Sequence, residues 1–380
     1  MSAGRALSVS TSPHAFKRDE AAHLYESNIA VYPSTKNKKD SSKSQTHEKQ
    51  SLGFIWRSGL AGGLAGSAAK TIVAPLDRVK ILFQSSNPQF SRYAGSWLGV
   101  VTAIRQIKAT DGISGLFRGH SATIIRIFPY AAIKFLTYEQ IRSFLISSPT
   151  QETSLRRLLS GSLAGVASVF FTYPLEVIRV RLAFETKKGA SSSFSHICKI
   201  IYNEVPPSPQ SIRFPKEAVK NPLQKISQRN KFANFYRGFS VTVIGMLPYA
   251  GMSFLTHDTI GDFFRQPKLA PYTTLPRSEN TQSNKPLTLR SWAELCAGGI
   301  AGVVSQTSAY PFEVVRRRMQ VSGAVGDGHP MRIKETACLI FREKGIRGYW
   351  VGLTIGYVKM VPMVAVSFYV YERVKSVLKI

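Results

Sequence analysis

Pro75-Leu76-Asp77-Arg78-Val79-Lys80, Pro174-Leu175-Glu176-Val177-Ile178-Arg179 and Pro311-Phe312-Glu313-Val314-Val315-Arg316 are one pattern written three times. Nine residues before each Pro stands the second glycine of a Gly-x-x-x-Gly pair: Gly62/Gly66, Gly161/Gly165 and Gly298/Gly302. A second register follows each of these. Gly119, Gly238 and Gly352 precede Pro129, Pro248 and Pro362 by ten residues, and Glu139, Asp258 and Glu372 follow by ten more. Six segments in one register make a threefold internal repeat, so the repeat is the unit of the fold.

Around these glycines the chain is apolar at helical length. Residues 158–173 and 238–256 carry no charge, and 352–370 only Lys359. About 20 apolar residues cross a bilayer core, which gives six spans near 53–83, 119–145, 154–184, 238–265, 290–320 and 352–378. Each holds a Pro that should kink it, tolerated where neighbouring helices satisfy the freed carbonyls. The small-xxx-small pairs should let helix backbones approach closely in lipid. The expected architecture is an all-α membrane protein of six tilted helices in three repeats, 51–146, 154–266 and 290–380. Residues 1–50 form a disordered tail, and 205–233, rich in Pro, Lys and Arg, an insertion without firm structure.

Charge sharpens this reading. The chain has 50 Lys+Arg against 22 Asp+Glu among 380 residues, a formal +28, with a mean hydropathy of −0.05. Such a balance suggests a nucleic-acid binder, yet the tail, with eight basic and five acidic residues, holds only +3. The remainder lies among the spans and short loops, not in one exposed stripe. The within-repeat loops 84–119, 183–238 and 320–352 carry +3, +7 and +2, which puts all three in one inner compartment. Both termini then face the other side. Cys198, Cys296 and Cys338 form no Cys-x-x-Cys pair and the seven His are scattered, so no metal or cofactor site is expected. Gly62 to Thr71 lacks the spacing of a phosphate loop, and no nucleophile–base pair suggests an enzyme.

The triple Pro-x-[Asp/Glu]-x-x-[Lys/Arg], with Phe117-Arg118-Gly119, Tyr236-Arg237-Gly238 and Trp350-Val351-Gly352 opening the second helices, resembles the mitochondrial carrier family. Val351 stands where the pattern has a base. The resemblance implies a monomeric inner-membrane transporter with a central site opened alternately to either side, matrix-facing loops, termini in the intermembrane space, and lipid partners including cardiolipin.

An acid and a base three residues apart on a helix cannot both face lipid, so three such helices should close a ring of ion pairs. By resemblance the matrix ring is Asp77–Arg179, Glu176–Arg316 and Glu313–Lys80, braced by Gln84 and Gln320, with Ala183 in the second repeat. Leu82 departs from the basic residues Arg181 and Arg318 at the next motif position. A cytosolic ring would pair Glu372 with Arg142 and Asp258 with Lys375, beside Glu139; Gly261 removes the third base.

Substrates need positions where repeats differ. Seven residues after each second-helix glycine stand Arg126, Gly245 and Lys359. Lys70 and Lys134 add charge, opposite Val169/Gln306 and Ser253/Ser367 in the other repeats. Four cations with no acid nearby in sequence point to a phosphorylated anion. By resemblance Gly245-Met246 would take a flat base, with Tyr130 and Tyr249 stacking. Residues 126–134, 72–75 and 245–251 look most like the fungal coenzyme A carriers of the family. The alternatives are an adenine-nucleotide exchanger, of the ADP/ATP or ATP-Mg/phosphate type, and, in another class, a nucleotide- or nucleic-acid-binding protein.

Overall fold

A computed structural model describes residues 52–145, 154–186, 193–204, 228–275, 287–324 and 331–378. The tail 1–50, the linker 146–153 and most of the 205–233 insertion lie outside them, although Gln228–Tyr236 is a 3-10 helix. Ten α-helices are described, and each repeat consists of a leading helix, a short helix and a trailing helix. They are α1 Leu52–Gln84, α2 Trp97–Leu116 and α3 His120–Leu145; α4 Ser154–Phe184, α5 Phe194–Asn203 and α6 Phe239–Phe264; and α8 Ser291–Val321, α9 Ile333–Lys344 and α10 Leu353–Leu378. The four-residue α7, Ala270–Thr273, joins the second and third repeats beside a bridge between Thr274 and Leu289.

All six Pro lie inside continuous helices. The leading helices, with 31 to 33 residues, are about 46–50 Å long, more than a hydrocarbon core requires. By length and apolarity alone, three segments qualify as membrane spans: Leu159–Phe184, Lys231–Phe264 and Ile346–Leu378. The helices α1, α3 and α8 do not reach that apolarity; they carry Lys70, Asp77, Lys80, Arg126, Lys134, Glu313 and Arg316–Arg318. Most of this charge lines an internal cavity and is withheld from lipid.

The ring closes through neighbours. Each leading helix packs most extensively on the trailing helix of the preceding repeat: α4 on α3, α8 on α6, and α1 back on α10. The seam is made of small residues, but not the expected glycines. Ala61-Ala65-Ala69, Ser160-Ala164-Ser168 and Ala297-Ala301-Ser305 occupy equivalent rows four residues apart, and none is more than 2% exposed. A Cβ built on Gly62, Gly161 or Gly165 would meet no atom within 4 Å, and one on Gly66 only Ile127 at 3.9 Å. In the first two repeats close packing therefore runs one position earlier than the sequence reading placed it, whereas in the third Gly302 is itself buried. The neighbouring Gly63 does make a close approach, beneath the Phe128 ring.

The buried core gathers at the end bearing the Pro motifs. Ile107 of α2, Ile197 and Ile201 of α5, and Ile340 of α9 each pack under the motif helices. At the start of each trailing helix, Gly119, Gly238 and Gly352 have φ of +84°, +80° and +83°, a left-handed turn that suits glycine. A Cβ on Gly119 would lie 2.6 Å from the Arg179 carbonyl oxygen. Tyr173 and Tyr310, just before the motif Pro, donate their hydroxyls to Arg237 O (2.9 Å) and Val351 O (3.0 Å), clasping the leading helix to the turn. The first repeat has Ala74 at this position and uses a Thr71–His120 hydrogen bond of 2.9 Å instead.

Candidate functional site

At the motif end the leading helices converge, and their charged side chains meet. Arg179 lies 3.0 Å from Asp77, Arg316 3.1 Å from Glu176, and Lys80 2.9 Å from Glu313, so all three expected pairs are brought together. The ring is not symmetric. Arg317, where the other repeats have Ile81 and Val180, adds a 2.6 Å contact to Glu176. Gln320 sits beneath this pair, accepting from Arg317 (3.0 Å) and donating to the Tyr173 hydroxyl (3.1 Å). Gln84 is buried beside Tyr310, under Lys80. The Lys80 ammonium stands 4.9 Å from the Tyr310 ring centroid, a cation–π arrangement.

Above the ring opens a cavity of about 300 Å³ lined by residues of all three repeats. Lys70, Arg126, Tyr130, Met246 and Lys359 reach it, while Gly245, Lys134 and Tyr249 are not in its wall. The Gly245 face is already covered: a Cβ there would lie 3.0 Å from Phe312 Cβ, so the glycine admits a neighbouring helix and leaves Met246 as the apolar wall. Lys134 lies eight residues along α3 from Arg126, about 12 Å toward the opposite end.

The expectation that these cations lack an acid is corrected here. Arg126 is 2.9 Å from Glu176, and Lys359 is 2.7 Å from Asp77. In sequence the partners lie 50 and 282 residues apart, so spacing could not reveal them. The physical cause is general, because a buried charge is costly until paired. Among the described residues no carboxylate lies within ion-pair distance of Lys70, whose ammonium is 3.4 Å from the Met363 sulfur. The cavity wall holds seven cations, Lys70, Lys80, Arg126, Arg179, Arg316, Arg317 and Lys359, against Asp77, Glu176 and Glu313, an excess of four positive charges.

A second charged layer below the ring was not anticipated. Asp111 takes Arg78 (3.3 Å) and Arg118 (3.5 Å); Glu204 takes Arg181 (3.0 Å) and Arg237; Glu343 takes Arg318. Arg78 thus serves the first repeat, where Leu82 replaces the usual base. In the third repeat Val351 leaves Glu343 to Arg318 alone, and this hydrogen bond holds the Glu343 carboxyl below its ordinary range. The seven-residue step from Asp111 to Arg118 could have signalled this layer. The insertion hid the equivalent step in the second repeat.

The opposite end is open. Glu139, Asp258 and Glu372, the acids of the expected cytosolic ring, are exposed. His257, which replaces the tyrosines 138 and 371, instead reaches Glu294 at the start of α8 (3.1 Å).

Comparison with known proteins follows the same threefold division. Residues 52–149, 150–268 and 288–380 each match the family described as mitochondrial carrier protein. The chain is 50% identical over 346 residues to mitochondrial carrier protein LEU5 of Saccharomyces cerevisiae, covering 89% of this chain and 94% of that one. It is 36% identical to human solute carrier family 25 member 16, covering 85% and 89%. To mitochondrial carrier protein CoAc2 of Zea mays it is 36% identical, covering 84% and 86%.

Proposed function

The chain belongs to the mitochondrial carrier family, multi-pass transporters of the inner membrane, and from that premise we propose that it moves coenzyme A into the matrix. The observation that carries this reading is the cavity's excess of four positive charges beside the Tyr130–Met246 wall. Coenzyme A offers a 3′-phosphate monoester, at about −1.5 to −2 near neutrality, together with a diphosphate and an adenine ring. The maize relative, which bears CoA in its name, supports the same substrate.

Arg126 and Lys359 hold phosphates in this reading, and Lys70 supplies a third contact. Met246 and Tyr130 face the base, with the Arg126 guanidinium 5.7 Å from the Tyr130 ring centroid. Lys134 serves the approach from the open end. The ion-pair ring is the matrix gate and the exposed carboxylates belong to the cytosolic gate, so the structure corresponds to a state open toward the intermembrane space. Transport proceeds by alternate opening, with no covalent step. Uptake by purified protein in liposomes tests the assignment, using coenzyme A, dephospho-coenzyme A, ADP, ATP and ATP-Mg. Coenzyme A should be taken up fastest, and Arg126→Ala and Lys359→Ala should each abolish uptake. ADP uptake as fast as that of coenzyme A would instead favour an adenine-nucleotide exchanger.

A further inference from the structure

The open end is tied across one seam by a contact that the other two seams cannot make. His257 Nε2 lies 3.1 Å from Glu294 Oε1, joining α6 of the second repeat to the first turn of α8. In the threefold register the equivalent positions set Tyr138 against Arg157 and Tyr371 against Ser58. Only the α6–α8 seam places an imidazole opposite a carboxylate. The two side chains are 37% and 48% exposed, so the contact meets the water of the compartment on that side.

The chain connection reinforces the same seam. Backbone hydrogen bonds join α7 to the start of α8, Leu275 N–H to Thr288 O at 2.9 Å and Arg290 N–H to Thr273 O at 2.7 Å. Arg265 lies across Gly261 and donates to Leu287 O at 2.9 Å. His257 stands seven residues before the end of α6, about 10 Å inward from this clasp. Its neighbour Asp258 lies about 100° around the helix and is left 78% exposed. Asp258 is the acid that the second repeat offers to a ring closing this end. Turning it inward rotates His257 away from Glu294.

We propose that His257 and Glu294 form a pH-responsive latch on the open end, which holds α6 against α8 and must release before this end can close. The inference rests on alternating access and not on the choice of coenzyme A. Protonated, the imidazole makes a charge-assisted pair with Glu294; neutral, it makes an ordinary hydrogen bond. The other charged groups around it are Asp258, at 3.9 Å, and Arg265, both on α6 itself. Acid on the open side therefore tightens the latch and keeps the mouth open, whereas alkali loosens it. The backbone clasp carries no such dependence, so it keeps the ends of α6 and α8 together while the latch opens and closes.

The test compares uptake by the reconstituted full chain with the same pH on both sides, at about pH 5.5 and about pH 8, either side of the ordinary imidazole range. Coenzyme A and ADP are followed in parallel, so that ADP uptake without coenzyme A uptake counts against the substrate reading alone. The quantity read is the rate of a variant divided by that of the wild type, in which titration of the substrate phosphates cancels. Glu294→Gln should exceed the wild type by about 1.5- to 5-fold at the acid pH, the range set by an exposed ion pair, and approach it at the alkaline pH. His257→Tyr, the residue of the other two repeats, should do the same. A covalent latch provides the second measurement, in a background with Cys198, Cys296 and Cys338 replaced by Ser. There His257→Cys and Glu294→Cys, bridged by a short reducible bifunctional thiol reagent, should stop uptake until a reductant is added. A variant-to-wild-type ratio that is the same at both pH values, or uptake that continues through the bridged pair, overturns the latch.

Discussion

Glu176 is the most heavily committed residue in the molecule. It is 2% exposed and has Arg126, Arg316 and Arg317 within 3.1 Å. Removing an acid from such a cluster leaves several buried cations uncompensated, whereas removing one arginine leaves the acid still paired. The two changes should therefore differ sharply. Glu176→Ala should destabilise the folded protein by about 3–5 kcal/mol, the range for breaking a buried pair from one side. Arg317→Leu should cost distinctly less, because Ile81 and Val180 show that an apolar side chain suits the position in the other repeats. Melting of the purified protein in detergent checks both. Equal losses would mean that Arg317, not the cluster, carries the contact. Charge at this scale was legible where it recurred: the motif pairs follow from three aligned copies. Arg126–Glu176 and Lys359–Asp77 were not legible, because each joins the trailing helix of one repeat to the leading helix of the next, and Gly245 breaks the recurrence in the remaining repeat.

At the scale of elements, the six long helices lie within a few residues of the spans read from hydropathy and glycine spacing, because both periodicities reflect one helical face. The packing register is where the sequence misled. Gly-x-x-x-Gly is the conspicuous signal, but in the first two repeats the row one residue earlier, of Ala and Ser, is the buried one. On a helix, one residue is a rotation of 100°, enough to move a side chain from a seam to an open face. Ala164→Leu should then force α3 and α4 apart, at a cost typical of overpacking, about 1–3 kcal/mol or more. Gly165→Ala, with nothing within 4 Å of its Cβ, should be neutral or stabilising by up to about 1 kcal/mol through helix propensity. The paired melting temperatures decide which face is the seam. Similar losses from both would return the contact to the glycines.

For the molecule as a whole, the two ends are held unequally. The motif end has the ion-pair ring, the charged layer below it and the three short helices that pack under the core. The other end leaves Asp258 and Glu372 exposed, and Gly261 removes one of the bases that a full ring would need. A state closed there has at most two ion pairs of a full ring to hold it, Asp258–Lys375 and Glu372–Arg142, and it must give up the motif-end ring. The empty protein should therefore rest closed at the motif end, and substrate is needed to shift the population. Spin labels on Thr259→Cys and Ser143→Cys, exposed positions in the two trailing helices α6 and α3, report this without touching either phosphate ligand or the gate charges. In liposomes without substrate their separation should be long and unimodal. With coenzyme A on both sides a shorter component should emerge, and with Lys359→Ala it should not. A short component already present in the empty protein would mean that the two ends are balanced, and that the missing base at Gly261 is compensated elsewhere, with the His257–Glu294 contact the first place to look.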